Sequence, residues 1–93
     1  MSKILIVEDD AGFASGLAEA VRDFGYEPVI TSSGEDALAR FDELAPALVF
    51  LDLRLGGMHG LEALRALKSM SNQAGTPVVI LTAFADAANT MKR

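Results

Sequence analysis

The sequence predicts an α/β protein built on a parallel sheet with helices on both faces. Three observations carry this. Short, continuously apolar, β-branched runs recur along the chain; apolar residues at helical spacing separate them; and the runs end in acidic or hydroxyl side chains. Sheets of this kind place ligands outside the carboxyl ends of their strands. Those polar ends are therefore where chemistry is expected.

The elements follow in order. Residues 4–7 are β-branched and apolar, which suits a central strand. Asp10 stands where it can cap a helix over residues 11–24, with Phe13, Leu17, Ala20, Val21 and Phe24 on one face and Gly25 as its stop. Residues 27–31 form a shorter strand, and Pro28, which cannot donate to a ladder, favours an edge. Ser32 or Ser33 caps the next helix, Glu35 and Asp36 suit its first turn, and Ala37, Leu38, Phe41 and Leu44 make its inner face.

Pro46 closes that helix, and residues 47–51 make a strand apolar enough to be buried on both faces, delivering Asp52 at its end. Beyond the turn at Gly56, Gly57 and Gly60, the spacing of Leu61, Leu64, Leu67 and Met70 predicts a third helix, with Glu62, Arg65 and Lys68 facing water. Residues 69–76 read as a polar loop, 77–81 as a fourth strand, and 85–93 as weakly helical.

Length and composition bound the function. Ninety-three residues, 51% apolar and 23% charged, make one small packed domain. A net charge of -5 argues against nucleic acid or an anionic membrane as a partner of this chain itself. With no cysteine there are no disulfides, thiolate metal sites or cysteine nucleophiles. No basic segment followed by a long apolar one marks a signal peptide or membrane span, so a cytoplasmic protein is expected.

The topological switch point of such a sheet gathers the ends of the first, third and fourth strands. Those ends carry Glu8, Asp9 and Asp10, then Asp52, then Thr82. Clustered carboxylates suit a hard divalent ion, and magnesium needs few protein ligands; Asp9 and Asp52 are the expected direct ones. A carboxylate beside magnesium can attack a phosphoryl group, giving an aspartyl phosphate, with the Thr82 hydroxyl placed for a phosphoryl oxygen. Blander roles compete: Asp10 as a helix cap, Thr82 as another, and His59 as a solvated turn residue. No P-loop and no G-x-G-x-x-G opening a helix supports nucleotide binding.

These residues resemble the receiver domain of two-component response regulators over the whole chain, residues 1–93. Ile4-Leu5-Ile6-Val7-Glu8-Asp9-Asp10 is similar to that family's first strand and acidic pair, Leu51-Asp52-Leu53-Arg54-Leu55-Gly56-Gly57-Met58-His59-Gly60 to its phosphoacceptor strand and loop, and Val78-Val79-Ile80-Leu81-Thr82-Ala83 to its hydroxyl-bearing strand. The resemblance implies a flavodoxin-like (CheY-like), doubly wound sheet, of the family order 2-1-3-4-5 but here 2-1-3-4 with the fifth β/α unit missing. It implies a signalling module, not a turnover enzyme. Asp52 would take a phosphoryl group from a sensor histidine kinase or phosphotransfer protein. Asp9, Asp52 and the Arg54 main-chain carbonyl would bind Mg2+, Glu8 would act through water, and Thr82 with the Ala83 N–H would hold the phosphoryl oxygens.

The chain also departs from that pattern. Gly56 stands where the family usually has proline and His59 where it often has aspartate. The fifth β/α unit, with the lysine that pairs with the phosphoryl group, is absent, and Lys92 and Arg93 come too early to replace it. The expectation is a C-terminally shortened receiver with an open fourth strand and an uncovered apolar face, able to self-associate. A receiver-fold assembly module without productive phosphorylation is the alternative. A phosphohydrolase is disfavoured, because Asp52-Leu53-Arg54 lacks a second aspartate two residues on.

Overall fold

A computed structural model describes residues 1–52 and 60–81. Strands β1 (Lys3–Val7), β2 (Glu27–Thr31), β3 (Leu48–Leu51) and β4 (Val78–Ile80) alternate with helices α1 (Ala11–Asp23), α2 (Gly34–Leu44) and α3 (Gly60–Ala74). The strands are parallel in the order β2-β1-β3-β4, with Val7 level with Thr31 on one side and with Leu51 on the other. Strand β1 is central and β2, with Pro28, is an edge, as predicted. The chain winds one way from β1 to β2 and the other way from β3 to β4, so the switch point lies between the carboxyl ends of β1 and β3.

The two faces of the sheet are covered unequally. Leu5, Val7, Val49 and Leu51 point to one face, where Ala37, Phe41 and Leu44 of α2 and Ala63 and Leu67 of α3 close a continuous core. The face predicted for α2 is the one observed. Ser33 caps this helix: its hydroxyl accepts the Asp36 N–H at 3.1 Å.

On the opposite face α1 packs alone among the described helices, over Ile4 and Ile6, through Ala14, Ala18 and Val21. This corrects the predicted inner face of α1. Phe13 is 50% exposed and Phe24 81% exposed. The small side chains of Ala14 and Ala18 let the helix lie close to the sheet, and that close approach decides which face turns inward. The larger apolar residues fall on its flanks. Strand β3 is consequently not buried on both sides: Leu48 and Phe50 are only half-buried. Ile4, Leu17, Ala20, Val21, Phe24, Tyr26 and Phe50 line an open groove of about 190 Å³ there.

The helix stops follow local chemistry. After α1, Gly25 at φ 90° allows the Gly25 N–H to reach the Arg22 carbonyl (2.9 Å) and the Tyr26 N–H the Val21 carbonyl (3.2 Å), a Schellman end. The predicted polar loop at residues 69–76 is instead mostly the last turns of α3. Gly75, at φ 73°, is the real stop, and the Thr76 N–H reaches back to the Ser71 carbonyl at 2.8 Å. Serine and asparagine made this stretch look like a loop; its polar groups are accommodated in the helix, with the Ser71 hydroxyl donating to the Lys68 carbonyl at 3.1 Å. Leu61, expected on the inner face of α3, is 52% exposed, and Ala63 takes that place. The Thr76 hydroxyl then ties this end to the Pro46 carbonyl at 3.0 Å, just before β3.

Candidate functional site

The carboxyl ends of β1 and β3 are locked together by the main chain. The Glu8 N–H donates to the Thr31 carbonyl and the Asp52 N–H to the Val7 carbonyl, each at 3.0 Å. Both residues therefore continue the ladder by one step past the strands. Glu8 and Asp52 are buried, at 5% and 8% exposure, while Asp9 is exposed. One carboxylate oxygen from each of Glu8, Asp9 and Asp52 lies within 4.8 Å of the others.

Three acids this close repel one another when ionised. Burial, reinforced by a hydrogen bond and the nearby charge from Asp52, pushes the Glu8 carboxyl from its ordinary 4.5 up to about 7; the Asp10 main-chain N–H works in the opposite direction. That main-chain N–H meets Glu8 Oε2 at 3.1 Å. Asp10 also caps α1, its Oδ1 accepting the Phe13 N–H at 3.0 Å, so the cap reading of this residue holds.

The donor set suits a hard divalent cation. All three groups offer carboxylate oxygens, within 4.8 Å of one another, and magnesium takes oxygen ligands while keeping several waters, so a site with few direct protein ligands fits it. Such an ion would relieve the repulsion that raises Glu8. The remaining predicted site residues, Arg54, Thr82 and Ala83, lie outside the described residues, as do Gly56, Gly57, His59 and the weak helix at 85–93. Residue types predicted the carboxylate cluster. They gave no signal for the Asp10 N–H, a main-chain donor that every residue but proline carries.

The family described as the response regulator receiver domain matches residues 4–93. This chain belongs to that family. Receiver domains are signalling modules of two-component systems, and this one shares their sheet order. The DNA-binding response regulator MtrA of Mycolicibacterium paratuberculosis is 42% identical over 84 residues, a match covering 90% of this chain and 36% of that protein. The sensory transduction protein RegX3 of Mycobacterium bovis is 39% identical over 83 residues, covering 89% and 35%. The chain thus spans about a third of the length of these relatives. Among solved structures, the chemotaxis response regulator CheY4 of Vibrio cholerae superposes with a TM-score of 0.77 at 26% identity, covering 86% of this chain and 67% of that one. No described helix of the receiver is long and apolar enough to cross a membrane.

Proposed function

We propose that residues 1–93 act as one receiver unit that takes a phosphoryl group on Asp52 from a histidine kinase or phosphotransfer protein in the cytoplasm. The observation that carries this is the meeting of Glu8, Asp9 and Asp52 at the switch point of a receiver-family sheet. An Asp52 carboxylate oxygen attacks the phosphorus of the donor, the bond from phosphorus to the donor nitrogen breaks, and the donor imidazole leaves with that electron pair. Asp52 is held for this by its own N–H on Val7 and by burial beside Glu8. Asp9, Asp52 and the Arg54 carbonyl would hold Mg2+, with Glu8 acting through water, and Thr82 and the Ala83 N–H would receive the phosphoryl oxygens. The ion, when bound, neutralises charge on the carboxylates and on the transferring group. The outcome is a switch in a signalling domain, not a product released with turnover. A net charge of -5 makes nucleic acid a poor partner for these residues by themselves.

Incubation with acetyl phosphate and magnesium, followed by intact mass, tests this. One added phosphoryl group is expected on the wild-type chain and none on Asp52→Asn. An unmodified wild-type mass favours the other reading, a receiver-fold assembly module. That reading has an observation of its own in the apolar groove flanking α1, one wall of which is the exposed Phe24 ring. A two-fold pair that joined these grooves would bring the two Phe24 faces together, as an isologous contact uses the same patch on both copies. Sedimentation is expected to show a concentration-dependent dimer that Phe24→Ser weakens. A monomer throughout the micromolar range overturns the pairing.

A further inference from the structure

The connection between β1 and α1 carries two hydrogen bonds that meet on one residue. The Asp10 side chain accepts the Phe13 N–H at 3.0 Å, and the Asp10 main-chain N–H donates to Glu8 Oε2 at 3.1 Å. The Asp10 carbonyl accepts the Ala14 N–H at 3.0 Å, so this residue is fixed to the helix at both its side chain and its carbonyl. Its backbone sits at φ −81° and ψ 107°, the extended conformation of a cap. Glu8 is fixed on the other side, through its N–H on Thr31. Only Asp9 lies between these two anchored points. The direction of the Asp10 N–H is therefore set by the cap, and the Glu8 carboxylate follows that direction.

We propose that Asp10 is a positioning residue: by capping α1 it holds its own main-chain N–H against Glu8, and so fixes the orientation in which the Glu8 carboxylate faces Asp9 and Asp52 around a divalent cation. This rests on the cation reading of the carboxylate cluster. It assigns Asp10 a part in the site without making it a ligand. A helix cap that served α1 alone would stabilise the fold and leave the cation untouched. Hydrogen-bond partners that orient metal-binding groups matter for affinity, commonly by tenfold or more.

Calorimetric titration with Mn2+ and with Mg2+, well below the melting temperature, separates the two roles. The variants are Asp10→Asn, Asp10→Ser, Asp10→Gly and Asp10→Ala. Each removes the same charge, so any change common to all four measures electrostatics alone. Asparagine and serine keep a capping oxygen, and glycine and alanine do not. Glycine is nevertheless well tolerated at a cap, which keeps the helix in place if the alanine variant unfolds. The expected result is that Asn and Ser agree within about twofold while Gly and Ala bind about tenfold more weakly than either. Equal affinities across the four, with only the melting temperature falling in Ala, overturn the proposal and leave Asp10 a structural cap. A wild-type chain that binds neither ion, or an Asp9→Ala variant that binds as well as wild type, overturns the cation reading itself and is recognised before any Asp10 variant is compared.

Discussion

Replacing Phe41 with alanine is expected to cost about 3–5 kcal/mol, the largest single loss any apolar side chain here should show. Phe41 is 2% exposed and sits in the core between α2 and the sheet, with Leu5, Val7, Leu51 and Leu67 in the same cluster. Deleting its ring removes transfer energy and leaves a cavity, because Leu5, Val7 and Leu51 belong to paired strands and cannot collapse inward. At roughly 0.05–0.15 kcal/mol per residue, a domain of this length has about 5–14 kcal/mol in total. The substitution therefore removes a large share of what holds the receiver together, and at the lower end of that range a loss of about 5 kcal/mol leaves only about half of it folded at 25 °C. Urea denaturation followed by far-UV circular dichroism measures it. Phe24→Ala supplies the internal contrast: the same change at an 81% exposed ring should leave the monomer within about 0.5 kcal/mol of wild type. Comparable losses at the two positions would mean that the face of α1 has been misassigned.

That contrast also shows what sequence pattern could and could not reveal. Ala37, Phe41 and Leu44 read correctly because α2 has one apolar side and a polar remainder, so periodicity alone orients it. In α1 apolar residues lie on more than one side. The face that wins is the one whose alanines let the helix approach the sheet, not the one with the largest side chains. The end of α3 was obscured by composition, since Ser69, Ser71 and Asn72 favour loops locally, whereas the stop is set by Gly75 alone. The site was more legible than the packing around it. Acids at the ends of two apolar runs meet only if those strands are neighbours, and a parallel sheet with a switch point makes them so. The expected role of Thr82 follows from a hydroxyl at a strand end, whereas those of Arg54 and Ala83 came from family resemblance, because neither spacing nor residue type specifies which main-chain atom faces a phosphoryl group. The Asp10 N–H had no sequence signal at all, since its aim depends on a cap and a strand end meeting across one residue.

The metal-free receiver is expected to lose stability as pH rises from about 5 to about 7.5, and magnesium is expected to reverse much of that loss. The sign follows from Glu8. Its carboxyl is raised from 4.5 in the unfolded chain to about 7 in the fold, first by burial and then by Asp52. Between those two values the folded state holds the proton and the unfolded state has released it, so the folded state binds more protons and stability falls with increasing pH. Over the full window this amounts to up to roughly 3 kcal/mol, after which the curve flattens because Glu8 is ionised in both states. A divalent cation favours the ionised carboxylates, so its binding releases the proton below pH 7 and is strongest above it. The magnesium-induced rise in melting temperature should accordingly grow with pH. Asp9→Ala should abolish that rise, since it removes an expected direct ligand. Asp52→Asn removes a neighbour that raises Glu8, and should flatten the metal-free pH profile as well as weaken the magnesium effect. Thermal melts between about pH 5 and pH 8, with EDTA or with magnesium, measure all three. A metal-free melting temperature that stays level or climbs over this range would show that Glu8 is not held protonated in the fold. An equal magnesium shift in Asp9→Ala would place the ion away from the switch point, because the carboxylates that repel one another there would then have no part in holding it.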